Sequence, residues 1–222
     1  LLAAAAALLL CEPDFGAACV LLATGFAVLF IAGMQWRYVA AFGGSAIAIF
    51  TALAVFSPYR LRRIVGFLDP WEDPFGSGFQ LTQSLIAFGR GEWFGVGLGS
   101  SIQKLFYLPE AHTDFVFAVL AEEFGLVGVA VVLALFVALV WRTCLISRAA
   151  AQQGRLFQAY LAAAFGIWLG LQAFINMGVN MGVLPTKGLT LPLMSYGRSS
   201  LLVTLAWLGM ILRIHHENKA GG

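Results

Sequence analysis

The sequence predicts an all-α polytopic membrane protein, and two features of the chain support this fold class. Of its 222 residues, 60% are hydrophobic and only 11% are charged, whereas soluble domains carry about 25% charged residues. Several uncharged runs are long enough to cross about 30 Å of hydrocarbon as a helix. The net charge of +2 is too small to indicate a nucleic acid partner. We predict a single domain over residues 1–222, with about five full transmembrane helices and a truncated one.

The first three apolar runs are separated by short polar segments. Residues 1–11 are wholly apolar but too short to span the bilayer, as a truncated helix would be. Because this run lacks an initiator Met and a charged flank, we expect a fragment of a longer chain without a signal peptide. Pro, Gly and two carboxylates predict a turn at 12–16. Transmembrane helices are predicted over 16–33 and 38–57, with Trp36 between them as an interface anchor.

The composition changes over residues 58–114, which are rich in charged residues, prolines and glycines. We predict a long loop with a functional role, because structureless loops of this length are uncommon. Residues 79–88 predict a short helix lying against the membrane surface. The Gly-x-Gly-x-Gly run at 95–99 favours a flexible turn over a phosphate-binding loop, because no strand precedes it.

Three further spans are predicted in the second half of the chain. The fourth covers 115–141, and a short loop at 142–155 follows it with three arginines and no acid. The fifth covers 156–186, the longest uncharged run. Residues 184–198 are apolar but interrupted by Pro and Gly, and irregular backbone at membrane depth survives only inside protein or beside a wet cavity. A re-entrant-like loop is therefore predicted there, followed by a last span over 199–212.

The distribution of Lys and Arg predicts the orientation in the membrane. The short loops on one side, with the C-terminal tail, hold six Lys or Arg residues, and those on the other side hold two. The positive-inside rule then places the tail in the cytoplasm and the 58–114 loop outside the cell. Arg60, Arg62 and Arg63 oppose this assignment, because they lie close to the third span.

Cysteine and histidine patterns argue against two classes of site. Cys11, Cys19 and Cys144 lie in or beside apolar runs, where packing as small hydrophobic residues is favoured over a disulfide framework. His215 and His216 belong to a polar tail, and no Cys/His spacing indicates a zinc site.

Candidate chemistry concentrates in residues 107–125, where a polar cluster leads directly into the fourth span. The cluster contains Glu110, His112, Thr113 and Asp114. Asp114 stands where loop becomes helix, so the helix dipole favours its charged form while a partly apolar cavity opposes it. Such a carboxylate can accept a proton at neutral pH and act as a general base. The alternative is an acid that only stabilises the helix N-terminus, with Thr113 as the N-cap.

Two more acids, Glu122 and Glu123, lie at lipid depth in the same span, where ionisable residues are costly and functional by default. At about 100° per residue, Glu122 lies about 80° round the helix from Asp114, and Glu123 faces nearly the opposite way. Glu122 either lines the same cavity or pairs with a basic residue of another helix. The structural pairing is favoured.

Gln172, Asn176 and Asn180 form a polar stripe on the fifth span, because they recur every four residues. Hydrogen bonding between helices is the favoured interpretation. A wet cavity wall facing Asp114 is the alternative.

Lys187 is the only Lys or Arg between Arg155 and Arg198. A lone lysine in a loop is usually solvated. Here it follows a proline in an otherwise apolar loop, which suggests that it points at an anionic group such as a phosphate.

Three motifs resemble those of the SEDS family, the shape, elongation, division and sporulation proteins of bacteria. They are Glu-Pro-Asp-Phe-Gly at 12–16, Tyr-Leu-Pro-Glu-Ala-His-Thr-Asp-Phe at 107–115 and Leu-Pro-Thr-Lys-Gly-Leu-Thr-Leu-Pro-Leu-Met-Ser-Tyr-Gly at 184–197. The third is more similar to the division branch of the family than to the elongation branch. The resemblance covers essentially the whole chain and implies the C-terminal part of a SEDS protein.

The resemblance implies a peptidoglycan glycosyltransferase that polymerises lipid II in the cytoplasmic (inner) membrane at the division septum. The proposed catalytic aspartate of the family corresponds to Asp114, and its functionally important loop lysine corresponds to Lys187. Further substrate contacts are expected from residues of the same two motifs and the position after them: Glu110, His112, Ser195, Tyr196 and Arg198. A divalent cation, Mg²⁺ or Mn²⁺, is a candidate electrostatic partner. The expected protein partners are a class B penicillin-binding protein and other divisome membrane proteins.

Arg198 departs from the family pattern, which has a second glycine at this position of Ser-Tyr-Gly-Gly-Ser-Ser. If the position required a positive φ, arginine would be strained there. Alternatively, the backbone is ordinary and Arg198 adds a second cation facing phosphate. Two competing functions also remain open: a transporter that flips lipid II, and a non-catalytic scaffold for division proteins.

Overall fold

The computed structural model describes residues 2–12, 14–55, 67, 69–74, 76, 78–186 and 188–220. All regular elements in this part of the chain are helical, which confirms the predicted all-α class. The α-helices are α1 (Leu2–Cys11), α2 (Phe15–Ile31), α3 (Trp36–Val55), α4 (Phe79–Gly91), α5 (Val116–Gln152), α6 (Leu156–Asn180) and α7 (Arg198–Ala220). A short π-helix, Gln103–Tyr107, lies between α4 and α5.

Within these described residues, α5 and α6 are long and apolar enough to cross a membrane. The helices α1 and α2 are apolar but shorter. Helix α7 contains the whole of the predicted last span, 199–212. Large apolar side chains remain exposed along α5, among them Leu135, Val137 and Trp141. Such a surface suits contact with lipid, because soluble monomers rarely expose extended apolar patches.

The helix ends correct three predictions. The predicted loop at 142–155 is mostly helix, because α5 continues through its Ala-rich and Arg-containing sequence to Gln152. The turn itself is confined to a few residues around Gly154, whose φ is +74°. The fifth span ends at Asn180 rather than at 186, because Gly182, at φ +71°, turns the chain away. Trp36 begins α3 instead of lying in a loop.

Helix α5 is interrupted near its start by Gly125, which adopts φ 65° and ψ −163°. At this break, α5 exchanges main-chain hydrogen bonds with the chain that follows α4. The bonds run from Val96 N–H to Glu122 O (3.0 Å), Gly97 N–H to Glu123 O (3.1 Å), Leu126 N–H to Glu92 O (2.9 Å) and Val127 N–H to Trp93 O (3.1 Å). All four carbonyls therefore accept a hydrogen bond despite the break. Main-chain groups inside a membrane need such partners, because no water is available there.

The described residues divide into two compact units. One consists of 1–43, 135–172 and 197–222, and the other of 44–134 and 173–196. The first has a core centred on Phe165, which packs against Trp168 and Trp207 with ring centroids 6.1 and 5.1 Å away.

The second unit contains the 107–125 stretch. Its core combines residues of α4, of the turn before α5, and of α5 and α6: Ala87, Leu108, Ala111, Phe115, Ala118 and Val179. Helix α4 occupies the position predicted for a surface helix, and it buries one face in this core. Ser84 of that face donates a hydrogen bond to the carbonyl of Asn180 over 2.7 Å. The glycines at 95, 97 and 99 all have positive φ, which confirms a turn there.

Candidate functional site

A tight turn built on Glu110 delivers Asp114 to the start of α5. Glu110 has φ 56°, a conformation that few residues other than glycine adopt. Its carbonyl accepts hydrogen bonds from the N–H groups of Thr113, Asp114 and Phe115 at 3.1, 3.1 and 3.2 Å. Helix α5 begins directly afterwards, at Val116. Asp114 therefore stands at a junction between turn and helix, as predicted.

Thr113 does not cap α5, contrary to the sequence prediction. Its hydroxyl lies 2.7 Å from Oε2 of Glu110 and donates to that carboxylate. The positive φ of Glu110 curls the chain back, so the threonine side chain meets the turn that precedes it. The first turn of α5 is hydrogen-bonded both by the chain itself and by α6: Ala118 N–H donates to the carbonyl of Phe115 over 3.0 Å and to Oδ1 of Asn180 over 3.0 Å.

The carbonyls of three consecutive residues, 112–114, are all held by groups distant in sequence. His112 O accepts from Tyr196 N–H at 2.9 Å. Thr113 O accepts from the hydroxyl of Ser195 at 2.6 Å. Asp114 O accepts from Nδ2 of Asn176 at 2.8 Å and from Nδ2 of Asn180 at 2.9 Å. The main chain of the candidate base is thus fixed by α6 and by the segment after it.

Described residues of the 184–198 segment, predicted to be a re-entrant-like loop, lie against the turn that carries Asp114. Besides Ser195 and Tyr196, Leu189 joins it, because its carbonyl accepts from Nδ2 of Asn176 at 2.5 Å. Gly188 lies against the Asp114 carboxylate: a Cβ added to it would be 3.0 Å from Oδ2. Lys187, the predicted substrate contact, lies outside the described residues.

The polar stripe on α6 forms hydrogen bonds between chain segments, which was the favoured interpretation. Asn176 and Asn180 are 2% and 0% exposed, and both bind the main chain of Asp114. Gln172 is also buried but belongs to the other compact unit. The stripe is therefore a support for Asp114 and not a cavity wall at these two positions.

Glu122 is fully buried and is held by four donors, which confirms the predicted structural pairing. Arg90 Nη1 lies 3.1 Å from Oε1 of Glu122. Ser101 Oγ donates to Oε2 at 2.5 Å, and the N–H groups of Ile102 and Gln103 donate at 3.3 Å each. These contacts clamp the start of the π-helix to α5, so the carboxylate supports the long loop.

Glu123 forms a second clamp on the other side of α5. Its Oε1 lies 2.6 Å from Nζ of Lys104. Together with Glu122, it ties the segment after the glycine turn to the helix that carries Asp114. The two intramembrane acids are thus both paired.

The remaining predicted site residues differ in their exposure and in the compact unit to which they belong. Glu110 and His112 are exposed beside it on the same turn, and the Tyr196 side chain is 62% exposed. The Ser195 hydroxyl already makes two hydrogen bonds, to Thr113 O and from Leu191 N–H. Arg198 begins α7 in the other unit, and its φ is not positive. Of the two alternatives for Arg198, the ordinary backbone is therefore correct.

Sequence reasoning singled out the 107–125 stretch but missed three features of its support. The asparagine amides bind main-chain atoms, the glycine at 125 breaks α5, and the glycine at 188 makes room for the carboxylate. The sequence contained a signal for the asparagine amides, because the residues of the polar stripe recur every four positions. Across the described residues, no group of three His, Cys, Asp or Glu could hold a metal ion.

Comparison with known proteins identifies relatives over the full chain. The profile of the FtsW/RodA/SpoVE family, described as cell cycle protein, matches residues 1–220. A protein of Thioalkalivibrio sulfidiphilus named probable peptidoglycan glycosyltransferase FtsW is 63% identical over 222 residues, covering 100% of this chain and 56% of that protein. A protein of Nitrosococcus halophilus with the same name is 62% identical over 220 residues, covering 98% and 56%. The chain spans about half the length of these curated relatives.

Two solved structures are similar to this chain in fold and sequence. One is described as "Structural coordination of polymerization and crosslinking by a peptidoglycan synthase complex"; it has a TM-score of 0.73 and 36% identity, and the match covers 96% of this chain and 59% of that one. The other is a mutant of the rod shape determining protein RodA of Thermus thermophilus. It has a TM-score of 0.61 and 33% identity, over 96% of this chain and 54% of the other.

Proposed function

The chain belongs to the FtsW/RodA/SpoVE family of cell cycle proteins, and from that premise we propose that it is part of a peptidoglycan glycosyltransferase that polymerises lipid II during bacterial cell division. The observation that carries this proposal is the placement of Asp114. Its main chain is fixed by two buried amides, while its partly exposed carboxylate faces a loop contributed by the last third of the chain. A general base requires such a held but accessible carboxylate.

The names of the relatives support the same reaction. Proteins 63% and 62% identical to this chain are named probable peptidoglycan glycosyltransferase FtsW. A structural relative is described as coordinating polymerisation with crosslinking in a peptidoglycan synthase complex. The FtsW name of these relatives supports division rather than elongation as the context of the proposed activity.

The proposed reaction is a displacement at the anomeric carbon of the growing glycan chain. That carbon carries undecaprenyl pyrophosphate, a good leaving group, so less acid catalysis is needed than in a glycosidase with two carboxylates. Asp114 removes the proton of the 4-hydroxyl of the acceptor lipid II. The oxygen then bonds to the anomeric carbon, and the carbon–oxygen bond to the pyrophosphate breaks with its electron pair. A general base contributes typically ~10²–10⁴-fold in rate.

Residues of the two long motifs, with the position after the second, are proposed to bind the substrate. Lys187 is assigned to the charge that develops on the departing pyrophosphate, a role worth about 10²–10³-fold in rate by comparison with other charge-stabilising groups. Glu110 and His112 are exposed on the same turn as Asp114. Tyr196 has an exposed side chain, and we assign it and Arg198 to substrate binding because of their places at the end of the second motif and directly after it.

Ser195 is assigned to the site through the main chain, because its hydroxyl is occupied by Thr113 O and Leu191 N–H. No step is assigned to a cation. Mg²⁺ usually binds through one or two carboxylates together with substrate phosphates, so Asp114 and the pyrophosphate are the groups that would hold one.

The proposal includes a location and partners. The chain is assigned to the bacterial inner membrane at the division septum, with the 58–114 segment outside the cell, where lipid II is consumed. A class B penicillin-binding protein is the proposed partner that crosslinks the new strand, alongside other divisome membrane proteins.

A lipid II transporter is the second candidate, favoured by one observation. The break at Gly125 makes α5 a discontinuous helix, and transporters commonly form their binding sites at such helices. Here, however, the main-chain groups freed by the break form hydrogen bonds with the segment after α4. The break is therefore a place where two chain segments cross.

A polymerisation assay with purified protein and synthetic lipid II tests the proposal. Wild type should form glycan strands, and Asp114→Ala and Asp114→Asn should each lose activity by ~10²–10⁴-fold. Wild-type rates in the Asp114→Ala protein would remove Asp114 from the mechanism. Transport is tested separately by following the accessibility of lipid II in inverted vesicles. If the protein were a non-catalytic scaffold for division proteins, the Asp114→Asn variant would keep that scaffolding function.

A further inference from the structure

We propose that Asn176 and Asn180 are positioning residues for the reaction, which act by fixing the main chain of Asp114 and the loop that faces its carboxylate. This inference rests on the proposed function, because the groups that it places are the proposed base and its surroundings. Neither asparagine contacts the reacting atoms in the proposed mechanism. Both act through Asp114 and Leu189.

Asn180 bridges the first turn of α5 with its side-chain amide. Nδ2 donates to the carbonyl of Asp114 over 2.9 Å, and Oδ1 accepts from Ala118 N–H over 3.0 Å. One planar amide thus binds both a carbonyl and the N–H four residues later, the pair that an α-helical hydrogen bond would join. The side chain thereby sets the geometry of the junction at which Asp114 sits.

Asn176 connects that junction to the loop on its other side. Its Nδ2 donates to Asp114 O at 2.8 Å and to Leu189 O at 2.5 Å. Leu189 follows Gly188, whose backbone lies against the Asp114 carboxylate. The amide therefore fixes the distance between the base and the loop segment that faces it. The carbonyl of Asn176 also accepts from Nδ2 of Asn180, over 2.9 Å, so the two amides support one another.

The choice of residue type at these positions indicates more than helix packing. Both side chains are essentially excluded from solvent, and buried amides are costly unless they are hydrogen-bonded. Most other buried side chains of α6 are apolar, among them Ala162, Phe165 and Leu169. The amides at 176 and 180 instead bind main-chain atoms of Asp114 and Leu189. Without them, the turn before α5 alone would determine the position of Asp114. Displacement of a catalytic group by about 1 Å can reduce a rate by about 10²-fold.

The chain contains a matched control. Asn218 is also buried, and its Nδ2 donates to the carbonyl of Ile146, a residue of α5. It makes the same type of contact as Asn180, between a buried amide and a carbonyl at the same long helix, but in the other compact unit. A substitution there removes a comparable hydrogen bond without involving Asp114.

The experiment compares Asn176→Leu, Asn180→Leu and Asn218→Leu in the full-length protein, reconstituted with its crosslinking partner. Leucine has the same number and branching of side-chain heavy atoms as asparagine and adds no charge. We expect kcat for lipid II polymerisation to fall about 10²-fold in the first two variants, with KM changed much less. Asn218→Leu should retain kcat. Asn176→Ser, which keeps one hydroxyl donor, should lose less than Asn176→Leu and guards against a misfolded variant.

Amide hydrogen exchange supplies a readout that does not depend on activity. In Asn180→Leu, the N–H of Ala118 loses its bond to Oδ1 of residue 180 and keeps only the bond to the carbonyl of Phe115, 3.0 Å away, so peptides covering residues 112–120 should exchange faster, while those of α7 remain unchanged. Equal losses of kcat in all three leucine variants, or unchanged exchange over 112–120, would overturn the positioning role. If wild type does not polymerise lipid II, the proposed function fails, and the exchange result alone decides whether the amides hold this junction.

Discussion

The side-chain amide of Asn180 donates a hydrogen bond to the main-chain carbonyl of Asp114 over 2.9 Å, across 66 residues of sequence. It binds the backbone and not the carboxylate, which lies against Gly188 of the 184–198 loop. A catalytic group must be held close to its productive geometry by supporting residues. Support through the main chain does this without using the side-chain atoms of the proposed base.

Gly188→Ala is expected to reduce polymerisation by displacing the base. The added Cβ would lie 3.0 Å from Oδ2 of Asp114, which is closer than an ordinary van der Waals contact, so the carboxylate or the loop must move. We expect a loss of kcat of about 10-fold or more, because small displacements of catalytic groups are costly.

The matched control for this change is Gly209→Ala. Gly209 lies within α7, and a Cβ there would meet no atom within 4 Å. Turnover should be unchanged, and stability should rise slightly, because alanine favours a helix interior. Equal kcat values in Gly188→Ala and wild type would contradict the close approach.

Gly125→Ala should destabilise the crossing between α5 and the segment after α4. Alanine at φ 65° and ψ −163° would lie in a region that essentially only glycine occupies, at a cost of about 1–3 kcal/mol. Its Cβ would also lie 2.5 Å from the N atom of Gly95 and 2.6 Å from the O atom of Gly91. These contacts are with backbone and cannot be relieved by a rotamer change. Thermal unfolding in detergent measures the loss.

Gly154→Ala separates strain from steric overlap. Gly154 has φ +74°, but a Cβ there would meet nothing within 4 Å. It should therefore show only the strain, and Gly125→Ala should be clearly less stable than Gly154→Ala. Equal unfolding temperatures for the two variants would mean that the crossing relaxes to accept a side chain.

Arg90→Ala is expected to destabilise the protein because it leaves the fully buried Glu122 without its cation. Removing one member of a buried pair typically costs about 3–5 kcal/mol. We expect the lower end of this range, because Arg90 is 39% exposed and Glu122 keeps its hydrogen bonds to residues 101–103.

The double variant Arg90→Ala/Glu122→Gln tests the assignment. Neutralising the buried carboxylate should recover part of the loss in unfolding free energy, because the uncompensated charge is then removed. Glu122→Gln alone also lowers the unfolding free energy by some amount. If the double variant is less stable than Arg90→Ala by that same amount, the effects are additive and the two residues do not interact.

The contact between α6 and the tail of α7 should depend on pH through Glu217. Hydrogen bonds from Gln158 and Arg213 hold the pKa of the Glu217 carboxyl below its ordinary value of 4.5. A carboxyl with a lowered folded-state pKa stabilises the fold above its unfolded pKa, and this contribution is lost as the pH falls through the lowered value.

The difference in unfolding temperature between wild type and Glu217→Gln should therefore be present at pH 7. It should begin to shrink below about pH 4.5 and vanish in stronger acid. A difference that persists unchanged into strong acid would show that the Glu217 charge is not its origin.

Periodicity and composition were sufficient for the elements that face lipid. Long apolar runs predicted the helices now observed as α2, α5 and α6, because a bilayer demands about 20 predominantly apolar residues from each span. They misplaced helix ends such as Gln152 and Asn180. The end at Gln152 was misplaced because arginine is a good helix former, so the arginines did not stop the helix. The end at Asn180 was misplaced because the glycine after it acts through a φ that its neighbours in sequence do not specify.

The all-α membrane class, the family and Asp114 as the candidate base follow from the amino-acid sequence alone. Each of these depends on local composition or on contiguous motifs. What holds that base became visible in the tertiary structure. The amide of Asn180 and the backbone of Gly188 reach it from 66 and 74 residues away, and the hydroxyl of Ser195 binds the adjacent Thr113 from 82 residues away. Such contacts depend on how α6 packs against the start of α5, and hydrogen bonds between distant segments leave no periodic trace in the chain.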